Sequence, residues 1–344
     1  MSSAPSDNQG HPKKVLITGG AGFIGSHLAD HHRGMGDSIC VIDNLSTGRA
    51  ENLTQHGDRV RLIDAGLSDG LEELTRSNEH FDLIYHLAAA VGVDLVLQDP
   101  VGSIRTNILQ TDTLLDYALK HGSPPTFVAS SSEVYGKPGV SVFSEEDDSI
   151  YGPTSITRWS YAHSKAIDEY LAMGYADQHQ LPVVVGRFFN TVGPRQVGSY
   201  GMVLPRFVES ALAGKPLRVF GDGQQSRCFC DVRDVIQVLP RLLACPDAYG
   251  RVMNIGSDDS VTINELAELV ISTLGSDSIV ERVEYSDAYP AGFEDLRHRK
   301  PDLTRVRSLV EFDPKHTLED TIRDMARFAK GAAEPASVPN GGEQ

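Results

Sequence analysis

Residues 13–25 read Lys-Lys-Val-Leu-Ile-Thr-Gly-Gly-Ala-Gly-Phe-Ile-Gly, and this stretch determines the architecture expected for the chain. Its first half is an apolar run that predicts a short strand, and residues 26–32 follow a helical pattern. A strand, a glycine turn and a helix in this order are typical of a site for the pyrophosphate of a dinucleotide. Gly19 would allow the tight turn, Gly22 the approach of a phosphate, and Gly25 close packing of the helix on the strand.

The start of this helix would direct N–H groups and a positive dipole end at the phosphates, so Phe23 and Ile24 join the predicted cofactor contacts. A second apolar run, 38–43, ends in Asp43, 18 residues after Gly25. A carboxylate at this place binds the adenosine ribose hydroxyls and excludes a 2′-phosphate. The sequence therefore favours NAD over NADP as the cofactor.

Strand and helix patterns continue to alternate along the first half of the chain. Apolar runs predict strands at 60–63, 81–86, 126–130 and 181–188, and a long helix covers about 100–121. This alternation predicts a Rossmann-type α/β fold, a doubly wound parallel sheet with its ligand at the carboxyl ends of the strands. The remaining predicted cofactor contacts lie at or near these ends: Asn44, Asp64, Ala88, Ala89, Asn107 and Ser130.

Tyr161 and Lys165 stand four residues apart in a helical pattern, so their side chains share one face. An ammonium beside a phenol lowers the pKa of the phenol, and such a tyrosine can take a proton from a sugar hydroxyl and return it. Ser131, Ser132 and Glu133 follow the fifth predicted strand. We expect both tyrosine and lysine to be catalytic and to touch the cofactor, Ser132 and Glu133 to be catalytic, and Ser131 to contact substrate.

Beyond residue 190 the elements become shorter and richer in Arg, Pro and Gly, which indicates a smaller α/β lobe that binds substrate. The predicted division is a disordered lead-in at 1–12, an NAD-binding domain at 13–190 with returns around 231–256, a lobe at 191–330 and a disordered tail at 331–344. Arginines are the residues with which an acidic chain would hold a diphosphate or a carboxylate. The predicted substrate contacts in this lobe are Asn190, Arg195, Arg206, Arg227 and Arg299.

The composition excludes several classes of function. The chain has 344 residues and a net charge of −16, which argues against a general binder of nucleic acids or membrane surfaces. It has no run of 18 apolar residues, so we expect no membrane span. Four cysteines without repeated spacing are typical of free thiols in a reducing cytoplasm. We expect Cys228-Phe229-Cys230 in one strand with its sulfurs on opposite faces, and therefore no metal site.

Together these residues resemble the extended short-chain dehydrogenase/reductase family that modifies nucleotide sugars, over about 14–330. The resemblance rests on the three glycines, Asp43, the serine cluster, Tyr161 with Lys165, Asn190 and Gly193-Pro194-Arg195. It implies NAD as cofactor and a UDP-sugar as substrate. It also implies a homodimer formed through two long helices, here about 100–121 and 159–178.

Further stretches resemble UDP-glucuronate decarboxylases. The stretches are Ser132-Glu133-Val134-Tyr135-Gly136, Gly152-Pro153 to Tyr161, Arg227-Cys228-Phe229, Phe293-Glu294-Asp295 and His298-Arg299-Lys300-Pro301. In that group the arginine of the last motif acts in catalysis, which maps to Arg299. The turn 193–202 resembles bacterial 4-epimerases instead.

The resemblance implies that Tyr161 removes the C4 hydroxyl proton while NAD takes the C4 hydride, and that Lys165 holds the phenolate and the nicotinamide ribose. Glu133 and Arg299 would steer the sugar carboxylate and supply the C5 proton as CO2 leaves. The product would be UDP-xylose or its 4-keto pentose. Two alternatives stay open: a UDP-sugar 4-epimerase acting on UDP-glucuronate, UDP-glucose or UDP-N-acetylglucosamine, and a non-catalytic NAD-sensing binder.

Overall fold

The computed structural model describes residues 11–54, 59–90, 98–198, 202–284 and 297–333. Its strands are β1 (Lys14–Thr18), β2 (Ser38–Asp43), β3 (Val60–Asp64), β4 (Leu83–His86), β5 (Thr126–Ser131), β6 (Val142–Phe143), β7 (Val183–Phe188), β8 (Thr191–Val192), β9 (Leu217–Phe220), β10 (Ser226–Cys228), β11 (Cys230–Asp231), β12 (Arg251–Ile255), β13 (Ser260–Thr262), β14 (Val280–Val283) and β15 (His298–Pro301). Its helices are α1 (Phe23–Gly34), α2 (Leu67–Arg76), α3 (Pro100–Lys120), α4 (Trp159–His179), α5 (Val203–Leu212), α6 (Val232–Leu243), α7 (Ile263–Leu274), α8 (Thr304–Leu309) and α9 (Leu318–Ala333).

A seven-stranded sheet in the order β12-β7-β5-β4-β1-β2-β3 forms the centre of the molecule. All of its neighbouring strands are parallel. The chain runs outward from β1 to β3 and then crosses back to β4, so the strand order reverses between β1 and β4. This is the doubly wound arrangement that the sequence predicts, and a ligand is expected at the carboxyl ends of the strands beside this reversal.

Both faces of the sheet are covered because its strands are apolar on both sides. Val15 and Ile17 of β1 belong to a core cluster with residues of α1 and α6, whereas Leu16 belongs to a second cluster with residues of α2, α3 and α4. Alternate side chains of a strand point to opposite faces, so one short run supplies both cores. The predicted fold class is confirmed.

A third cluster lies in the smaller lobe, where α5, α7 and α9 pack together. This lobe contains a four-stranded sheet in the order β13-β10-β15-β6 and the two-stranded pairs β8–β11 and β9–β14. β6 reaches this sheet from residues 142–143, within the first half of the chain. The boundary near residue 190 stays a prediction.

Two local predictions are wrong. Cys228 ends β10 and Cys230 begins β11, because the Cys230 N–H turns away to the Asn190 carbonyl, 3.3 Å distant. The two cysteines therefore lie in different sheets. The last helix reaches Ala333, three residues into the predicted tail; 334–344 and most of the predicted lead-in lie outside the described residues. No helix in the described ranges is long and apolar enough to cross a bilayer.

Candidate active site

The glycine turn fits the phosphates of a dinucleotide. Gly19 has a φ of 70°, and a Cβ added to it would lie 2.8 Å from the Ala88 nitrogen, so this position requires glycine. Gly22 is the N-cap of α1 and offers no side-chain hydrogen bond, and the first turn carries no acid. The N–H groups of half-buried Phe23 and Ile24 therefore begin a helix end that no side chain caps, where an anion is favoured.

The carboxylate of Asp43 is fixed beside this turn. Its Oδ2 accepts from the Ala21 N–H at 2.9 Å and its Oδ1 from the Leu45 N–H at 2.8 Å. Asp64 is the register partner of Asp43 on β3 and is exposed, as is Asn44. These acids stand at the carboxyl ends of β2 and β3, where the adenosine end of a dinucleotide would lie.

Two other predicted cofactor contacts have their polar groups engaged inside the fold. Asn107 is buried; its Oδ1 accepts from the Ala90 N–H at 2.8 Å and its Nδ2 donates to Ser164 Oγ at 3.0 Å. It therefore braces α4 against the loop that holds half-buried Ala88 and Ala89. The Ser130 hydroxyl donates to buried Glu169.

The structure brings Tyr161, Glu133 and Ser131 together. The Ser131 hydroxyl hydrogen-bonds the Tyr161 phenol and also accepts from the Glu133 N–H at 3.2 Å. Ser131 is thus the serine that contacts the candidate base, Tyr161, whereas Ser132 is buried. The sequence assigned the catalytic part to Ser132, and this stays a prediction; the structure places Ser131 beside the Tyr161 phenol instead, because a short 3-10 turn at 132–135 follows the strand directly.

Glu133 lies between two arginines. Its Oε1 is 2.5 Å from Arg299 Nη1 and its Oε2 is 3.3 Å from Arg158 Nη2. The exposed fraction of each arginine side chain is 8%, and that of Glu133 is 21%. Burial raises the pKa of Glu133, but Arg299 and Arg158 outweigh it and lower the pKa to about 2. Glu133 is therefore ionised at neutral pH, and the cluster carries one net positive charge.

Lys165 does not lower the pKa of Tyr161 as predicted. Burial raises that pKa above its ordinary value, and the negative charge of Glu133 raises it further. Lys165 Nζ instead donates to Asp168 Oδ2 at 2.8 Å. Lys165 is 2% exposed and Asp168 is fully buried, so each charge needs the other at this depth.

A line of buried polar groups leads from the cofactor side to Asp168. The Ala88 N–H donates to Thr18 Oγ1 at 3.3 Å, Thr18 Oγ1 is 2.7 Å from His86 Nδ1, and His86 Nε2 is 3.3 Å from Thr111 Oγ1. The Thr111 hydroxyl lies beside Asp168 and opposes the rise that burial causes in its pKa. Burial lowers the pKa of His86 to about 3, so the ring is neutral. With the Thr111 hydroxyl directed at a carboxylate, which only accepts, the line favours the tautomer that carries the proton on Nε2.

The predicted substrate contacts fall into two groups. Arg227 and Arg299 are register partners on adjacent strands, both buried, and so project from the same face of the small sheet. Arg195 pairs with Asp30 of α1 at 2.8 Å, and Asn190 donates to the Cys228 carbonyl at 3.0 Å. Arg206 lies over the Phe220 ring in the small lobe, 5.2 Å from the ring centroid. The structure therefore brings only Arg299 directly to Glu133.

A family model described as the NAD dependent epimerase/dehydratase family matches residues 15–256. The chain belongs to this family. Its relatives include the UDP-N-acetyl-alpha-D-glucosaminuronate decarboxylase of Bacillus cytotoxicus, 40% identical over 321 residues that cover 92% of this chain and 97% of that protein. UDP-glucuronic acid decarboxylase 4 of Arabidopsis thaliana is 33% identical, over 91% of this chain and 68% of that one.

Solved structures of the NAD dependent epimerase/dehydratase family share the fold. The UDP-glucuronic acid 4-epimerase from Bacillus cereus, solved with UDP-glucuronic acid and NAD, gives a TM-score of 0.81 at 26% identity and covers 93% of this chain and 99% of that chain. As a member of this family the protein is an NAD-dependent enzyme. The cradle at Gly19 and Gly22 and the fixed Asp43 carboxylate fit this cofactor.

Sequence reasoning gave no role to Arg158 and Asp168. Each stands three residues from a predicted catalytic residue on α4, Arg158 before Tyr161 and Asp168 after Lys165. Helical side chains three apart are neighbours, so this spacing was the available signal. The partner of Arg158, Glu133, is distant in sequence and emerges only from the fold.

Proposed function

We propose that this enzyme decarboxylates a UDP-linked uronic acid through a 4-keto intermediate. The observation that carries the proposal is the Glu133 carboxylate held between Arg158 and Arg299, next to Tyr161. A neutral hexose has no group for a net positive cluster at this place, whereas a uronic acid has its C6 carboxylate. The relatives named as decarboxylases of UDP-glucuronic acid and of UDP-N-acetylglucosaminuronate support the same substrate class.

In this proposal Tyr161 takes the proton of the C4 hydroxyl, assisted by the hydrogen bond from Ser131. NAD, when bound, would supply the acceptor for the C4 hydride, and the positive charge of its oxidised ring would favour the tyrosinate. The sugar is then a β-keto acid: the bond from C5 to the carboxylate breaks, CO2 leaves, and the electron pair passes into the C4 carbonyl. A proton then adds at C5, and the C4 ketone either takes back the hydride and the Tyr161 proton to give the UDP-pentose or is released as the 4-keto pentose together with the reduced cofactor. Lys165, paired with Asp168, sets the position of an ammonium one turn from the tyrosine.

In this proposal Glu133 helps to position the groups around the reacting sugar and does not donate the C5 proton. With a pKa of about 2 it holds no proton to give at neutral pH. Solvent supplies the proton at C5, and Arg299 holds the departing carboxylate. This changes the role expected from the resemblance, in which Glu133 and Arg299 together supplied that proton.

The test is incubation of the purified enzyme with NAD and either UDP-glucuronate or UDP-N-acetylglucosaminuronate, with CO2 and sugar products followed by NMR. Release of CO2 with a UDP-pentose or a 4-keto pentose supports the proposal, and the better of the two substrates identifies the C2 substituent. Turnover of UDP-glucose or UDP-N-acetylglucosamine in preference to both uronates would refute it.

A second candidate is a 4-epimerase of the same uronates, favoured by the likeness to the UDP-glucuronic acid 4-epimerase structure. Its hydride would return to the opposite face of C4 and the carboxylate would stay. UDP-galacturonate without CO2 in the same assay would establish it. Residues 199–201 of the turn that resembles epimerases, and the predicted motif Phe293-Glu294-Asp295, lie outside the described residues.

We further propose that the enzyme is a cytoplasmic homodimer, joined through α3 and α4. These two helices pack against each other and leave apolar side chains exposed: Val101 and Leu109 on α3, Ile167 and Tyr170 on α4. Tyr170 is 80% exposed, which is a large apolar surface for a monomer to leave in water. The free thiols at all four cysteines support a reducing compartment.

A further inference from the structure

Arg158 connects helix α4, which carries the candidate base Tyr161, to the site proposed for the substrate carboxylate at Arg299. It is the N-cap residue of α4, so its Cα lies one turn before Tyr161. Its guanidinium pairs with Glu133 Oε2 and also lies over the Trp159 ring, 5.3 Å from the ring centroid. The Glu133 N–H in turn donates to Ser131, which hydrogen-bonds Tyr161. These contacts form a closed ring in which each member holds the next in place.

The two oxygens of Glu133 are divided between two arginines. Oε1 goes to Arg299 and Oε2 goes to Arg158. A carboxylate facing a single guanidinium prefers a bidentate pair that uses two parallel N–H groups. Because Arg158 takes one oxygen, Glu133 binds Arg299 through one nitrogen, Nη1. Among the residues that the structure describes, Arg299 Nε is buried and has no hydrogen-bond partner.

A buried donor without a partner is costly, and Arg299 Nε belongs to a side chain that is 8% exposed. The edge of a guanidinium that carries an unpaired N–H suits a second carboxylate. The net charge of the cluster also favours an anion at this place. Two guanidiniums and one carboxylate leave one positive charge that a second carboxylate can neutralise.

We propose that Arg158 is a positioning residue that reserves Arg299 for the carboxylate of the substrate, by drawing one oxygen of Glu133 away from it. This inference rests on the proposed substrate class of the same site. Without Arg158, Glu133 turns onto Arg299 as a bidentate pair, occupies the donors that the sugar carboxylate needs, and reduces the net charge of the site to zero.

The proposal gives a distinct dependence on pH. Within the part of the chain that the structure describes, the charged and titratable groups that face Glu133 are Arg158 and Tyr161 from α4 and Arg299 from β15. With Arg158 present, Glu133 stays ionised throughout the range in which the enzyme is handled. With Arg158 removed, burial is opposed by one cation instead of two, so the pKa of Glu133 rises. Protonation of Glu133 at low pH then frees Arg299, and uronate binding recovers as the pH falls.

The experiment measures binding of UDP-glucuronate and of UDP-glucose by calorimetry, with NAD present, in a Tyr161→Phe background that prevents turnover. Adding Arg158→Gln is expected to raise the Kd for UDP-glucuronate about tenfold, which is the effect of one charge-assisted hydrogen bond. The Kd for UDP-glucose is expected to stay unchanged. Arg158→Lys keeps the charge and is expected to restore most of the loss. Arg327→Gln, an exposed arginine on α9, is the control and should change neither ligand.

The decisive comparison is made between pH 5 and pH 8. Recovery of UDP-glucuronate binding at the lower pH in Arg158→Gln, but not in the background protein, supports the proposal. Equal losses for both ligands, or a loss that does not depend on pH, would overturn it, since a purely structural role for Arg158 gives these results. Failure of the wild-type enzyme to release CO2 is a separate result, which rejects decarboxylation and leaves the binding comparison intact.

Discussion

Replacing Gly25 by Ala is expected to weaken NAD binding and to destabilise the fold, each by a measurable amount. A Cβ at this position would meet the Gly20 Cα at 2.7 Å and the Gly19 carbonyl carbon at 3.0 Å. Carbon atoms in contact prefer about 3.5–4.0 Å, so α1 must move away from the turn by about 1 Å. Backbone atoms supply the clash, and no side-chain rotation relieves it.

The magnitude follows from two terms. Overpacking of this kind costs about 1–3 kcal/mol of folding free energy. A shift of about 1 Å also removes the alignment of the N–H groups at Phe23 and Ile24 with a bound phosphate. Loss of one hydrogen bond to a charged group, about 1.5–3 kcal/mol, corresponds to about a 10- to 150-fold rise in the Kd for NAD.

The assay is calorimetric titration of NAD, with urea unfolding of the same preparations. Gly34→Ala is the matched control, because Gly34 ends the same helix and a Cβ there meets no atom of the described residues within 4 Å. It should bind NAD normally and gain about 0.5–1 kcal/mol of stability. A folded Gly25→Ala protein that binds NAD as tightly as the wild type would refute the reasoning, and so would an equal loss of affinity in Gly34→Ala.

Three further predictions use the candidate site and its helices. Tyr161→Phe should abolish turnover of the nucleotide sugar while the Kd for NAD stays within about twofold; retained turnover would remove Tyr161 from the mechanism. Asp168→Ala leaves Lys165 buried without a counter-charge and should lower the free energy of unfolding by about 3–5 kcal/mol in urea. The exposed Asp177→Ala on the same helix should change it by no more than about 0.5 kcal/mol, and similar losses would contradict the paired burial. Tyr170→Asp should shift the molecular mass in analytical ultracentrifugation from dimer to monomer, and an unchanged dimer would place the interface elsewhere.

The sequence predicts elements best where local signals determine them. Strand β2 has the predicted bounds Ser38–Asp43, because it is a single apolar run ended by an acid. Helix α3 begins at Pro100 after the Asp99 cap, within a residue of the predicted range.

The sequence predicted which residues belong to the candidate site better than it predicted which of them contact each other. Glu133 and Arg299 are both sequence predictions, and the structure brings them together. The choice between Ser131 and Ser132 depends on where a strand gives way to a 3-10 turn, and one residue reverses the direction of the side chain. The pairing of Lys165 with Asp168 could not be predicted because it depends on burial. An exposed lysine does not require a counter-charge, whereas a buried one does.

The line of buried groups from Ala88 to Asp168 has a consequence for how this protein can change. The three groups between its ends, Thr18, His86 and Thr111, each donate one hydrogen and accept one, and the carboxylate at the end sets the direction for all of them. Replacing Thr111 alone by Val would leave the N–H of His86 without its acceptor and would remove one neighbouring donor from Asp168, which keeps its pair with Lys165. One substitution therefore affects two buried groups, whereas exchanging the neighbouring links together can keep both supplied with partners. Viable variants along this line are expected to arise as linked sets of substitutions, and an engineered core here is best redesigned as a whole.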